Sequence, residues 1–173
     1  MDFWETIEKR HSVRRFNADH DVAPEIVERI LRAAILAPSA GNCQPWHFFA
    51  VRDAGIRELL AEAAGRQRFV AEAPVVIVVC AEPARSSARY GSRGSSLYCL
   101  QDTAAATEHI LLAATASGLG SCWVGAFDER AAAQALRLPG HLRPVAMVPI
   151  GYPLRPTARK TARRGLDEVV TYV

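Results

Sequence analysis

Pro74-Val75-Val76-Ile77-Val78-Val79-Cys80 is the stretch that decides the fold. Six consecutive apolar residues, five of them β-branched, follow a proline. Strand side chains alternate between the two faces of a sheet, so a strand with no polar alternate must be covered on both. The rest of the chain should therefore supply helices for two layers around this strand.

Upstream, residues 3–10 read as a short amphipathic helix. Pro24 opens a stronger one, with Glu25 and Glu28 in its first turn. Val27, Ile30, Leu31, Ala34 and Ile35 form the apolar stripe of a packed helix. Ala37-Pro38 ends it, and Ser39-Ala40-Gly41-Asn42 is a loop by composition. Residues 46–51 are a candidate strand and 54–64 a candidate helix. Downstream, residues 82–96 are polar, with Gly91 and Gly94, and read as a mobile loop. Asp102 is expected to cap a helix running to about Ser117, apolar almost all round. Gly118-Leu119-Gly120 stops it and leads into a strand over 121–125. Asp128 caps a short helix to about Leu136, and 144–150 is a further strand. The tail is basic (Arg155, Arg159, Lys160, Arg163, Arg164), then β-like over 169–173 with no local partner, as if to extend the sheet of a second subunit. Helices and strands without repeat or linker give one α+β domain over residues 1–173.

The size of 173 residues suits a single core, and 50% apolar with 23% charged residues is ordinary globular composition. A net charge of +3 and the lack of interleaved aromatics argue against a nucleic-acid partner. No apolar run approaches the roughly 20 residues that cross a bilayer. Asp2 and Glu5 stand where a signal peptide would be basic, so no membrane role is expected and the expected compartment is the cytoplasm. Cys43, Cys80, Cys99 and Cys122 are widely spread and read as reduced, partly buried thiols. The five histidines show no ligand spacing, so no metal site is expected.

The densest polar chemistry is Arg10-His11-Ser12-Val13-Arg14-Arg15-Phe16. Guanidiniums so close repel one another unless an anion sits among them, and their planar forks suit phosphate oxygens. Arg10 and Arg14 would face one ligand if the segment were a helical turn. On its own the cluster reads equally as a solvated basic face.

Four segments together resemble the nitroreductase family of flavin enzymes. They are Arg10 to Phe16; Ala37-Pro38-Ser39-Ala40-Gly41-Asn42-Cys43-Gln44-Pro45-Trp46; Gly118-Leu119-Gly120-Ser121-Cys122-Trp123-Val124-Gly125-Ala126-Phe127-Asp128; and Val148-Pro149-Ile150-Gly151-Tyr152-Pro153. Their order runs from residue 10 across nearly the whole chain. The resemblance implies a mainly antiparallel sheet flanked by helices and an FMN-binding homodimer that exchanges its C-terminal strands. It also implies two-electron, ping-pong reduction of nitroaromatics, quinones or similar small electrophiles by NADH or NADPH.

The resemblance further assigns Arg10, Ser12 and Arg14 to the FMN phosphate and ribityl chain, and His11 either to the flavin's polar edge or to solvent. Pro38, Ser39 and Ala40 would line the flavin of the neighbouring subunit; their small size lets backbone approach a flat ring. Asn42 and Gln44 would serve the ring edge or cap the loop. Gly125 and Ala126 match the backbone donor to flavin N5, so no side chain is catalytic. Gln67 or Arg68 would meet the pyrimidine edge. Arg163, with Lys160 as the weaker match and Arg159 and Arg164 as alternatives, would close over the phosphate. Longer relatives carry extra helices in the middle, and here residues 82–98 are the candidate lid. The rivals are a flavin-binding storage or sensor protein without turnover, and the same-fold dehalogenases and dimethylbenzimidazole synthases, which normally need additional lid residues.

Overall fold

The computed structural model describes residues 1–155 and 161–173. Lys160 and Arg159, two of the tail candidates, lie outside the described residues. The elements are α1 (Phe3–Lys9), α2 (Pro24–Ala34), β1 (Trp46–Val51), α3 (Ala54–Ala63), α4 (Phe69–Glu72), β2 (Val75–Ala81), α5 (Pro83–Arg93), α6 (Cys99–Ala116), β3 (Gly120–Ser121), α7 (Glu129–Ala135) and β4 (Arg143–Gly151).

The strands form one antiparallel sheet in the order β1-β2-β4-β3. Every residue of β2 is buried, as its sequence requires. Its alternate residues serve two cores. Val75, Ile77 and Val79, with Val148 and Ile150 of β4, pack against Ile30 of α2 and Ile110 and Leu111 of α6. Val76, Val78 and Cys80, with Met147, face Leu60 and Ala61 of α3, Val70 of α4 and Ala132 of α7. Trimming one such fully buried side chain to alanine costs about 2–5 kcal/mol. Cys80 lies so deep that burial pushes its thiol up to about 12.

Three expectations are corrected. Residues 82–96 are not a mobile loop: they form α5 and a π-helical turn, Gly94–Tyr98. Pro83 sets the first helical turn, Gly91 takes a positive φ of 56° that breaks the helix, and Gly94 lies against the Ser86 backbone where any Cβ would collide. Glycines that read as loop markers are thus what lets two helical pieces fold back on each other. Asp102 does not cap α6, which begins three residues earlier at Cys99. The strand expected over 121–125 shrinks to Gly120–Ser121 plus a single bridge, Val124 to Met147. Between them Cys122 donates to the Pro149 carbonyl, and Pro149 has no N–H to return.

Residues 169–173 form no strand within this chain, and Val169, Tyr172 and Val173 are exposed. A strand exists only through a neighbouring strand's hydrogen bonds, and among the described residues none pairs with the tail. No helix among the described residues is long and apolar enough to cross a membrane.

Candidate functional site

The segment after α1 is extended, not a helical turn. Arg10 closes α1 by donating to the Thr6 carbonyl, then Ser12 bridges Ser121 in parallel and Val13 donates to the Ser121 carbonyl at 2.9 Å. Farther along, Phe16 bridges Pro153 and Asn17 donates to the Tyr152 carbonyl at 2.8 Å. Val13 and Phe16 are the buried anchors. Val13 sits so close to Gly120 that a Cβ there would lie 2.7 Å from its side chain, which is why residue 120 is glycine. With Val13 turned inward, the period of two places Arg10, Ser12 and Arg14 on one side. The helical turn expected to bring Arg10 and Arg14 together is absent, and the segment is an extended strand-like stretch instead.

That convergence registers at Cys122. Burial pushes its thiol up, while Arg14, a hydrogen bond with Ser12, and Arg10 act in the opposite direction. Arg14, Ser12 and Arg10 thus all favour the charged form of the same buried thiol. Arg14 also lies over the Phe69 ring, 5.9 Å from its centroid. Arg10 Nε stands 3.7 Å from Glu108 Oε1 on α6. The Ser121 hydroxyl is buried there with no hydrogen-bond partner. His11 Nδ1 lies 2.8 Å from the Lys9 carbonyl.

The loop after Val124 reaches the same face. Asp128 donates to the Ala63 carbonyl at 2.8 Å, and Gln67 Nε2 donates to the neighbouring Ala64 carbonyl at 2.8 Å. These two bonds tie Asp128 and Gln67 to the C-terminal end of α3, just before the helix that carries Phe69. Gly125 and Ala126 are exposed. A Cβ at Gly125 would make only ordinary contact with Trp123, so packing within this chain does not demand glycine there. Beside Trp123, a cavity of about 260 Å³ opens between α6 and β4, walled by Thr103, Thr107, Glu129 and Arg143. Glu129 and Arg143 are paired at 2.7 Å; that hydrogen bond draws the Glu129 carboxyl below its usual range.

The 38–44 loop is built differently. Gly41, Asn42 and Gln44 all have positive φ (54°, 56° and 49°), the left-handed region that only short or flexible residues tolerate. The strain is held from outside. Asp102 Oδ1 accepts from Ala40 N–H at 3.0 Å, Arg89 donates to the Gly41 carbonyl at 3.1 Å and Arg85 to the Cys43 carbonyl at 3.0 Å. Ser39 Oγ accepts from Gln44 N–H at 3.0 Å, so its hydroxyl shapes the loop. A Cβ at Gly41 would strike the Tyr90 hydroxyl and Arg89. Asp102 is only 7% exposed, its second oxygen has no partner, and burial raises its carboxyl above the ordinary value.

Sequence reasoning missed these loop anchors. An acid among the alanines of a buried helix was the available signal for Asp102, because such a carboxylate needs a donor. Nothing local marked Arg85 and Arg89.

The structure therefore makes two groups, both tied to α6. Arg10 meets it at Glu108, and the 38–44 loop meets it at Asp102. Six residues separate these points, about 9 Å along the axis and roughly 120° around it. The hydrogen bonds of the two groups run to different partners. Arg163 joins neither group: it donates to the Thr161 hydroxyl at 2.7 Å.

A sequence profile of the nitroreductase family matches residues 7–66 and 57–152. A protein of Archaeoglobus fulgidus, provisionally described as an NADH dehydrogenase/NAD(P)H nitroreductase, is 40% identical over 148 residues, 83% of this chain and 81% of its own length. The crystal structure of a nitroreductase family protein from Clostridium novyi superposes with a TM-score of 0.80 at 34% identity, covering 88% of this chain and 86% of its own. A nitroreductase-like protein of Streptococcus mutans, at 20% identity, shares the fold with a TM-score of 0.91 over 99% of this chain and 98% of its own.

Proposed function

The chain belongs to the nitroreductase family of NAD(P)H-using oxidoreductases, and from that premise we propose that it is a homodimeric, FMN-dependent enzyme that reduces small electrophiles such as nitroaromatics and quinones. The observation that carries the cofactor is the extended segment pinned to Ser121, whose alternation puts Arg10, Ser12 and Arg14 on the side opposite buried Val13. Two guanidiniums and a hydroxyl on one side of a fixed backbone are what a phosphate monoester needs. When bound, FMN supplies hydride acceptance from NAD(P)H and two-electron delivery to the acceptor, in ping-pong order. Arg10, Ser12 and Arg14 would hold its phosphate end, Gln67 would donate to the pyrimidine edge, and the backbone N–H groups of Gly125 and Ala126 would stabilise charge on the reduced ring. Pro38, Ser39, Ala40 and Asn42 would shape the wall against the flavin ring, and Arg163, with Lys160 as the weaker match, would be the tail's contribution to the phosphate.

What one chain leaves open supports the dimer: the two groups meet α6 at positions six residues apart, Glu108 and Asp102. Phe3, Trp4, Leu36, Trp123, Leu166 and Tyr172 are exposed, which a lone soluble chain would rarely present. A second copy that brought its 38–44 loop against the first copy's arginines would complete the site, and its sheet would give residues 169–173 the strand partner they lack.

The test is spectral. Purified protein should be yellow, should bleach with NADH or NADPH under anaerobic conditions and should recover colour on adding a quinone. Protein that stays colourless and gains no thermal stability with added FMN overturns the reading. Protein that binds FMN but is not bleached is a flavin carrier without turnover.

A further inference from the structure

The helical hairpin of α5 and the Gly94–Tyr98 turn carries a second arginine cluster that flavin binding does not use. Residues 82–98 hold three guanidiniums, Arg85, Arg89 and Arg93, against one carboxylate, Glu82. Glu82 stands 3.9 Å from Arg85; among the described residues neither Arg89 nor Arg93 has a carboxylate partner. Each is nonetheless fixed. Arg85 and Arg89 are held by the Cys43 and Gly41 carbonyls, and Arg93 Nε donates to the Tyr98 hydroxyl at 3.0 Å. Arg89 lies 5.5 Å from the Tyr90 ring centroid and Arg93 5.3 Å from that of Tyr98. The two tyrosine rings meet edge to face at 5.2 Å, so the four side chains form one continuous cluster.

A guanidinium has five N–H donors, and one protein hydrogen bond apiece leaves Arg89 and Arg93 with donors to spare. Aromatic faces hold them with little remaining rotamer freedom. Unpaired, exposed and pre-oriented guanidiniums are the chemistry of a dianionic phosphate site. The cluster touches the 38–44 loop directly, through Arg89 and through the Tyr90 hydroxyl against Gly41. If that loop walls the flavin, the nearest phosphate-bearing molecule to reach this hairpin is the reductant docked on the flavin.

We propose that Arg89 and Arg93, supported by Arg85, bind the adenosine 2′-phosphate of NADPH and make this protein prefer NADPH over NADH. The proposal rests on the reading that the loop lines the flavin. Arg93 is the cleanest probe, because its bonds stay within the hairpin and leave the loop untouched.

The experiment pairs a binding and a kinetic measurement. By calorimetry, the wild type should bind adenosine 2′,5′-bisphosphate at least tenfold more tightly than adenosine 5′-monophosphate. Arg93→Ala should erase about tenfold of that discrimination, and Arg93→Lys should restore part of it. In steady-state assays the NADPH-to-NADH ratio of kcat/KM should fall about tenfold in Arg93→Ala. Equal losses with both nucleotides, no discrimination by the wild type, or inorganic phosphate competing as well as the bisphosphate would each overturn the assignment. Arg93→Gln, checked for a native circular dichroism spectrum, replaces any Arg93→Ala protein that fails to fold. The two proposals separate: yellow, reducible protein that ignores the 2′-phosphate sinks this one alone, and protein that discriminates the 2′-phosphate yet never holds flavin sinks the other.

Discussion

The 10–16 segment and the 38–44 loop are both rich in polar groups, yet they use them in opposite ways. In the first, backbone hydrogen bonds to Ser121 and Tyr152 fix the chain, so Arg14 and Ser12 are left pointing outward. In the second, the backbone is in left-handed conformations, and side chains from α5 and α6 are consumed in holding it. One region spends backbone to free its side chains; the other spends side chains to shape its backbone. Substitutions should therefore act on ligand affinity in the first region and on local structure in the second.

The largest expected effect tests the first half of that contrast. The double substitution Arg10→Ala, Arg14→Ala removes two charge-assisted phosphate contacts, each worth about 1.5–3 kcal/mol, so FMN affinity should fall on the order of 10²–10⁴-fold. Flavin fluorescence on dialysis reads the loss, and the melting temperature of FMN-free protein should shift little because Arg14 is exposed. Undiminished FMN affinity would end the assignment of these arginines.

Next comes the loop. Gly41→Val places a Cβ against the Tyr90 hydroxyl and Arg89 at a φ of 54°, and should cost about 2–4 kcal/mol in urea unfolding. Gly65→Ala is the control: its φ is also positive, at 69°, but nothing lies within 4 Å of a Cβ, so only the roughly 1–2 kcal/mol of the left-handed conformation should appear. Equal costs at both positions would mean that α5 does not clamp the loop.

What the sequence made legible follows the range of the interactions. The all-buried strand β2 was readable because a run of β-branched residues needs no partner to be recognised. The grouping of Arg10, Ser12 and Arg14 was readable as chemistry, but its period was not: choosing between four-residue and two-residue spacing required knowing that Ser12 pairs with Ser121, more than a hundred residues away. Residues 82–96 were misread because Gly91 and Gly94 look alike in sequence, while one breaks a helix and the other permits a close contact. The tail at 169–173 stayed unsettled for a physical reason, since its β pattern has no partner strand within one chain.

A smaller effect should appear at that tail. Arg163 is exposed and, among the described residues, bonded to Thr161 and Ala162, so its ordering over a phosphate would be offset by lost freedom. Arg163→Ala should weaken FMN binding only a few-fold, by about 1 kcal/mol or less, and the difference should vanish in high salt. A loss as large as that of the Arg10 and Arg14 pair would make the tail a principal part of the site.

The smallest effect is a pH dependence at Asp102, where the sign is decisive. Burial raises its carboxyl in the folded protein above the ordinary 3.8, outweighing the Ala40 N–H that favours the charged form. The folded state thus holds its proton more tightly than the unfolded state does. The contribution of Asp102 to stability is fully present below its unfolded value and declines as pH rises through the raised folded value. Asp102→Asn keeps an oxygen for Ala40 without the cost of a buried charge, so at neutral pH it should match or slightly exceed the wild type. That margin should close as pH falls toward 4. Asp102→Ala leaves the Ala40 donor without its partner and should lose about 1–3 kcal/mol at low pH, a loss that shrinks as pH rises. A wild type that gains on Asp102→Asn as pH rises would show that the carboxylate charge itself stabilises the loop, and the division between a region that frees its side chains and one that consumes them would need redrawing at Asp102.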